Sequence, residues 1–406
     1  MQKILIYSPE ITRRIRYVFD FILNDFSGFE TEYTTDKEQL KSSEIPTIGY
    51  SKEKIGDEIH FLSDDFMFET EISENIEFDR LNPVGKIFYA LSRYEEYLPN
   101  QRDKHQRLSG VGRVYQTPFV DALIIEFQKQ LKTVYPDLEF KKRKFEIILT
   151  SDIDQAWKYR HKGFVRTWGG ILTDLFKGHF KEISKKTAVI WGGKKDPFDC
   201  FDDFKSLKEK YDFQMIFFWL LGDYAKFDKN NSPNNGAFRR KIREVSEWSD
   251  FGIHPSYESS KYKIKLKVEI GRLSGILDKP VHRSRQHYIK LNLPKTYLNL
   301  IECGITDDYT MAYADATGFR AGTTAPFRWF NLENDEITNL KIHPFCAMDV
   351  SMRNYMKLSA EESIRELARL KSEIKKVDGR MILLFHNSNL DEGWEGWKEV
   401  LESVLE

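Results

Sequence analysis

The stretch EIILTSDIDQAW, residues 146–157, decides how the rest of the chain is interpreted. It begins as a run of apolar and β-branched residues, which is typical of a buried strand in a parallel sheet. It then ends in two aspartates, Asp152 and Asp154, with a single residue between them. Burying two like charges this close together is costly unless a positive group compensates them. We expect that group to be a metal ion, a substrate phosphate or a guanidinium.

Strand and helix patterns alternate regularly from residue 144 onward. The segment FQMIFFWLL (213–221) predicts a buried strand, and SAEESIRELARLKSEIKKV (359–377) predicts a helix with a capping signature. RMILLFHNS (380–388) predicts a closing strand. This alternation is typical of a (β/α) barrel or of an open doubly wound sheet. In both architectures ligands bind at the carboxyl ends of the strands.

The first part of the chain predicts a separate, smaller α/β unit. Short strands are expected at KILIYS (3–8), TIGYS (47–51) and EIHFL (58–62), and an amphipathic helix at 83–98. We therefore divide the chain into an N-terminal accessory domain, 1–140, and a larger domain, 141–406.

The composition excludes some functional classes. The chain has 406 residues and a formal net charge of -1, so it lacks the basic excess of most nucleic-acid or anionic-membrane binders. Three scattered cysteines indicate a reducing compartment rather than a disulfide framework. The apolar run ILIY (4–7) is too short for a signal peptide, and no stretch is long enough for a membrane span. We expect a cytoplasmic protein.

Polar residues follow several of the predicted strands and should meet at one edge of the sheet. Besides the two aspartates of the opening stretch, they are His254, Arg285, His287 and His386, and Arg320 follows in a glycine-rich loop. A divalent cation held by one carboxylate and two imidazoles keeps positions open for water and substrate. A second carboxylate can serve as general base and a further imidazole as general acid. The set predicts metal-assisted hydrolysis.

The motifs LTSDID (149–154), GIHPSY (252–257), SRQHY (284–288), GFRAGTTAPF (318–327) and LLFHNS (383–388) occur in this order. In order and context they resemble the polysaccharide deacetylase-like proteins, relatives of carbohydrate esterase family 4. The resemblance is to a branch with an Asp-x-Asp first motif and an added N-terminal domain. It implies a distorted (β/α) barrel and the removal of N- or O-acetyl groups from a sugar or glycan. It also implies one divalent metal, most often zinc.

The resemblance assigns a role to each motif residue. Asp152 matches the catalytic base, and Asp154 and His254 match metal ligands. The second ligand histidine of the family is replaced here by Glu258. We expect His287, at the next strand end, to take its place, with Glu258 as the alternative ligand.

The remaining motif residues are predicted to complete the active site. Arg320 matches the arginine that braces the catalytic aspartate, and His386 matches the general acid. We expect Arg285, Tyr257 and Asn387 to contact the substrate, an acetylated sugar or glycan.

Two other functions stay open from the sequence. A glycosyltransferase also places Asp-x-Asp at a strand end, where it holds a metal against a nucleotide diphosphate, but that leaves the three histidines unexplained. A catalytically impaired glycan-binding or scaffold protein would fit the altered second motif and the many aromatic residues. The sequence does not name the sugar, choose between amide and ester, or give the oligomeric state.

Overall fold

The protein is described here by a computed structural model covering residues 2–390 and 393–406. A four-stranded parallel sheet occupies the N-terminal part, in the order β2-β1-β3-β4. Its strands are β1 (Lys3–Tyr7), β2 (Glu30–Thr34), β3 (Thr47–Ser51) and β4 (Ile59–Leu62). The three short strands expected from the sequence are thereby confirmed.

Helices flank this small sheet. They are α1 (Arg13–Phe19), α2 (Lys37–Lys41), α3 (Pro83–Ser92) and α4 (Phe119–Val134). The helix expected over 83–98 ends earlier, at Ser92, because Arg93 is in the left-handed conformation with φ of 57°. A short 3₁₀ turn, Tyr94–Tyr97, follows it.

The larger sheet has nine strands in the order β10-β11-β9-β8-β7-β6-β5-β13-β12. All neighbours are parallel except β10 and β11, which form an antiparallel hairpin. The strands are β5 (Glu146–Ile153), β6 (Gln214–Trp219), β7 (Asp250–Ile253), β8 (Arg283–Ser284), β9 (Asp307–Asp308), β10 (Phe327–Asn331), β11 (Glu336–Ile342), β12 (Ala347–Met348) and β13 (Arg380–Leu384). In the described part of the chain no ladder joins β10 to β12, so closure into a barrel stays a prediction.

The connecting helices confirm the alternation expected from residue 144 onward. They are α5 (Phe164–Phe176), α6 (Phe180–Ile190), α7 (Phe201–Lys210), α8 (Gly236–Val245), α9 (Lys263–Leu277), α10 (Lys295–Glu302), α11 (Ala360–Lys375) and α12 (Trp397–Leu405). α11 carries the expected capping box between Ser359 and Glu362.

The segment 281–289 contributes only the two-residue strand β8 to the sheet. A 3₁₀ turn, His287–Ile289, follows it, and in this turn Tyr288 and Ile289 have φ of 62° and 53°, which an extended strand does not allow. That turn leaves His287 at the edge of the sheet where β5, β7 and β13 also end.

A buried ion-pair cluster connects the two parts of the chain. Glu96, with a fully buried side chain, accepts hydrogen bonds from Arg320 at 2.9 and 2.5 Å and from Arg93 at 2.8 Å. Burial alone would raise the pKa of Glu96, but the two guanidinium groups outweigh it and lower that pKa to about 2. Apolar residues of both parts belong to one continuous core. The domain boundary at residue 140 stays a prediction.

We predict that Glu96→Ala lowers the free energy of unfolding by about 3–5 kcal/mol, since it leaves the Arg320 guanidinium buried without a carboxylate and removes one of the two carboxylates that contact Arg93. Denaturant unfolding would measure the change. Glu77→Ala, which removes an exposed pair with Arg80, is the control and should cost at most about 1 kcal/mol. Because the folded pKa is depressed, the contribution of Glu96 is full above pH 4.5 and declines as pH falls toward 2. An equal effect of both variants would contradict the prediction.

Candidate metal centre and active site

Three predicted metal ligands lie together at the carboxyl edge of the large sheet. Oδ1 of Asp154 is 3.4 Å from Nε2 of His254 and 3.4 Å from Nε2 of His287. One ligand atom from each of the three residues lies within 4.8 Å of the others. Both histidines are buried, whereas the Asp154 side chain is 37% exposed and so borders open space. Glu258, the alternative ligand, is not part of this group.

The second nitrogen of each imidazole is held by a neighbouring acceptor. Nδ1 of His254 donates to the main-chain carbonyl of Arg285 at 2.6 Å, and Nδ1 of His287 donates to Oδ1 of Asp228 at 2.9 Å. In the neutral form that binds metal ions, with the proton on Nδ1, each ring would direct the lone pair of Nε2 toward Asp154. This is the arrangement in which histidines bind metal ions in proteins.

The donor set fits a tetrahedral cation. Oδ1 of Asp154 is buried and lacks a hydrogen-bond partner among the described residues, which is costly for a carboxylate oxygen. Bonds of about 2.0–2.1 Å at tetrahedral angles place ligand atoms about 3.3–3.4 Å apart. The two measured separations of 3.4 Å match this spacing. One carboxylate and two imidazoles are a common donor set for zinc.

The charges within the group reinforce one another. Burial alone would lower the pKa of His287, but the carboxylates of Asp154 and Asp228 outweigh it and raise that pKa to about 10. Burial alone would raise the pKa of Asp154, but the adjacent His287 and His254 hold the pKa of this carboxyl well below its usual range. Without a metal, the proton on His287 therefore compensates the charge of Asp154, and a bound cation would take the place of that proton.

Asp152 lies next to this group and has a positive neighbour. Its side chain is 2% exposed, and Oδ2 is 3.7 Å from Nε2 of His254. Nη1 of Arg285 donates to Oδ1 of Asp152 at 3.3 Å and also to the hydroxyl of Thr150. The Arg285 guanidinium is fully buried between the rings of Phe218 and Phe345, each 4.8 Å away. Arg285 therefore braces Asp152 from beneath, and this placement corrects its predicted contact with substrate.

Arg320 does not occupy the place expected for it. Its Nε and Nη2 donate to Glu96, and its Nη1 donates to the carbonyl of Ala312 at 2.7 Å. The prediction that Arg320 orients Asp152 is wrong, because all three nitrogens are engaged elsewhere and Arg285 makes that contact.

His386 forms a hydrogen-bonded pair with a buried aspartate. Its Nδ1 donates to Oδ1 of Asp349 at 2.8 Å, and its main-chain N–H donates to Oδ2 of Asp349 at 2.8 Å. Asn389 donates to the same Oδ2 at 2.9 Å. Burial alone would lower the pKa of His386, but the charge of Asp349 outweighs it and raises that pKa to about 9. His386 therefore carries a proton at neutral pH.

A cavity of about 340 Å³ brings these groups to one space. Its lining combines the metal-ligand group, Asp152 and His386 with aromatic, apolar and basic side chains. The lining residues are Arg107, Asp152, Asp154, Gln155, Phe227, Lys229, His254, His287, Tyr288, Ile289, Met348, Val350, Tyr355 and His386.

Two residues predicted to bind substrate lie outside this lining. The amide of Asn387 donates to the carbonyls of Gln155 and Phe198, so it fixes the loop after β5 instead. The Tyr257 side chain is buried, its hydroxyl lies 3.2 Å from Nδ1 of His105, and its ring packs on Phe227. These side chains make contacts within the protein, and their contact with substrate stays a prediction.

Asp228 and Asp349 hold two of the site histidines, and the sequence did not single out either of them. Asp349 follows the two-residue strand β12, so it also stands at the carboxyl end of a parallel strand. β12 is too short to produce a periodic sequence pattern, but the rule that ligands bind at the carboxyl ends of parallel strands would have identified Asp349. Asp228 lies in the polar loop 228–236, which the sequence presents as an exposed turn, yet Asp228 is 1% exposed. No local pattern marks it.

The N-terminal part of the chain has recognisable relatives. The model of a family of unknown function, DUF7033, matches residues 4–136. A search of curated proteins returns no match.

Several solved structures are similar to about two thirds of this chain. A Mycobacterium smegmatis protein assigned as a polysaccharide deacetylase has 12% identity and a TM-score of 0.41, covering 65% of this chain and 84% of that one. The Xyl-CE4 domain of a xylanase from a Trinervitermes trinervoides hindgut metagenome has 11% identity and a TM-score of 0.32, covering 65% and 82%. A CE4 family pseudoenzyme from Bacillus anthracis has 11% identity and a TM-score of 0.32, covering 64% and 60%. These scores are low, so a function has to be argued from the site itself.

We predict that Asp228→Asn weakens metal binding by about 10- to 100-fold, because the amide no longer provides the charged acceptor for His287. Competition with a chromophoric chelator would measure the affinity. The matched control is Asp223→Asn on the same loop, where the side chain is 74% exposed and should not matter. Equal affinity in the two variants would show that Asp228 does not support a metal ligand.

Proposed function

We propose that this protein is a metal-dependent hydrolase that removes acetyl groups from a sugar or glycan. The observation that carries the proposal is the group of Asp154, His254 and His287 in one cavity with a second carboxylate and a protonated histidine. Metal-assisted deacetylation uses a metal site, a base and an acid that act on one substrate. The motif resemblance adds the distorted (β/α) barrel and the acetylated carbohydrate as expectations.

Asp154, His254 and His287 would hold the ion, and their donor atoms favour zinc. When bound, such an ion lowers the pKa of a coordinated water and polarises the acetyl carbonyl. Asp228 would hold the Nδ1 proton of His287 in place and direct Nε2 toward the ion, as the Arg285 carbonyl does for His254.

Asp152 would act as general base. It is buried at the cavity wall with Oδ2 on the side of His254, while Arg285 stabilises its negative charge from beneath. A carboxylate in this position accepts a proton from the water that attacks the acetyl carbon. The proton is then on Asp152, the water oxygen is bonded to the acetyl carbon, and a tetrahedral adduct has formed on the substrate.

His386 would act as general acid. Its proton is held at neutral pH by Asp349, and the ring lines the cavity together with Asp152. As the adduct collapses, the C–N or C–O bond breaks and His386 protonates the departing amine or hydroxyl. Acetate and the deacetylated sugar are the products.

The remaining lining suits a carbohydrate. Tyr288, Phe227 and Tyr355 offer aromatic faces on which a sugar ring can stack, and Lys229 offers a donor to hydroxyl or acidic groups. The volume of about 340 Å³ lies near the lower limit of small-molecule sites, so we expect one or two sugar units to be enclosed.

We predict about one zinc or similar ion per chain, and its loss in His287→Ala. Elemental analysis would measure the metal, and release of acetate from N- and O-acetylated sugars would measure the activity. His282→Ala is the matched control, because His282 is exposed and lies outside the ligand group. Metal and activity should be retained in the control and lost in His287→Ala.

The outcomes separate the possible functions. Absence of metal from the wild type after incubation with excess zinc would contradict the proposal. Bound metal without acetate release from any acetylated sugar would leave a glycan-binding protein. Transfer of a sugar from a nucleotide donor would favour the glycosyltransferase alternative.

We predict that Asp349→Asn shifts the alkaline limb of the pH–rate profile to lower pH by about 1–3 units, because an opposite charge next to His386 is removed. In the wild type the activity should decline above pH 9, where His386 loses its proton. His386→Ala should reduce kcat by about 10²–10⁴-fold. An unchanged alkaline limb in Asp349→Asn would exclude His386 as the acid.

A further inference from the structure

A hairpin of two helices, residues 160–195, carries an unusual amount of exposed apolar surface. It contains α5 and α6 and begins six residues after Asp154. No residue of α5 is buried, although half of its side chains are large and apolar. Phe164 is 77% exposed, Val165 is 82% exposed and Phe176 is 89% exposed. Large contiguous apolar patches on a protein surface usually mark an interaction site.

The exposed residues of α5 form one stripe. Phe164, Val165, Trp168, Leu172, Leu175 and Phe176 fall within an arc of about 120° at 100° per residue. Trp191, 57% exposed, packs its ring 5.7 Å from that of Trp168 and so extends the stripe at the end of α6. None of these side chains belongs to the buried core of the described residues.

The same hairpin is strongly basic. Residues 160–195 include nine lysines and arginines but two carboxylates, a net charge of +7 in a chain whose total is -1. Lys177 and Lys181 lie at the turn between the helices and are exposed next to Phe176 and Phe180. Aromatic and aliphatic residues edged by lysines are typical of segments that lie in the interface of an anionic bilayer.

We propose that the hairpin docks the protein on an anionic lipid surface. Charge complementarity selects this occupant, because a second copy would bring another +7 hairpin against the first. The hairpin would lie in the plane of the interface, with its stripe among the acyl chains and its lysines at the phosphates. Within the described residues no helix combines the length and the apolarity that crossing a bilayer requires.

The conformation of α5 agrees with an external partner. Gly169 and Gly170 stand in the middle of the helix, where glycine disfavours helical structure. The helix has no packing against the core to offset this, and most helices in proteins depend on such packing. A partner surface that covers the stripe would supply the packing that the helix lacks.

The hairpin is joined to the rim of the cavity. Arg166 donates to the carbonyl of Asn230 at 3.1 Å, and its guanidinium lies 4.1 Å from the ring centre of Tyr224. Lys229, in the same loop, lines the cavity, and Asp228 holds His287. Docking of the hairpin would therefore place the cavity close to the lipid headgroups. If the proposed function holds, on which this step rests, the substrate is a lipid-linked acetylated sugar.

Flotation of the full-length protein with lipid vesicles tests the surface. We expect at least tenfold stronger partition to phosphatidylcholine vesicles containing about 30% phosphatidylglycerol than to pure phosphatidylcholine. Hydrogen exchange should show that amides of residues 164–176 gain protection when the anionic vesicles are added.

Two sets of variants separate the apolar and the ionic contributions. The triple variant Phe164→Ser, Val165→Ser, Phe176→Ser should lose at least tenfold in partition. Its control, Tyr262→Ser, Ile264→Ser, Val268→Ser, removes exposed apolar residues at α9 and should bind as the wild type does.

Reversal of charge provides the second test. Lys177→Glu with Lys181→Glu should also lose at least tenfold in partition. Lys37→Glu with Lys279→Glu makes the same change in net charge at exposed positions elsewhere and should have little effect.

Absence of binding to anionic vesicles, equal binding to both vesicle types, or equal losses in variants and controls would overturn the proposal. A concentration-dependent dimer without vesicle binding would assign the stripe to a second copy and would overturn it as well. Metal content and acetate release are measured on the same samples. Vesicle binding without hydrolysis would support the docking surface while contradicting the proposed function.

Discussion

The site depends on one constraint: the negative charges of two carboxylates at the end of one buried strand must be compensated. Asp152 and Asp154 are so close that each needs its own positive neighbour. Arg285 supplies it for Asp152 at 3.3 Å, and His254 with His287 supplies it for Asp154 at 3.4 Å. The positive charge that Arg285 provides to Asp152 is permanent. The compensation of Asp154 is made by groups that can exchange a proton for a metal ion, which gives the two aspartates different chemistry.

The same principle is repeated in the supporting layer. His287 and His386 each donate Nδ1–H to a buried aspartate, Asp228 and Asp349 respectively. Under the proposed function, the pairing would leave Nε2 of His287 available to a cation and would hold a proton on His386 for transfer. Identical local contacts would then serve a ligand in one case and an acid in the other, and the position relative to Asp154 would decide which.

The sequence predicts the parts of this arrangement that follow from strand order. Parallel strands present their carboxyl ends at one edge, so Asp154, His254 and His287 could be expected together before any coordinates. The sequence does not show which arginine contacts Asp152, because Arg320 instead donates to Glu96, which lies in a distant segment of the chain. Asp228 escapes notice because it lies in a loop without periodicity. The positive charge of the hairpin does not appear in the net charge of the whole chain, because the rest of the chain is acidic enough to cancel it.

The buried contact between Glu96 and Arg320 also limits how this architecture can be recombined. Arg320 belongs to a loop of the larger sheet, and its carboxylate comes from the segment after α3. A larger domain excised at residue 141 would carry a desolvated guanidinium with no counterion. We therefore expect the N-terminal part to act as a folding partner of the larger sheet rather than as an exchangeable module, and the two parts to be inherited together.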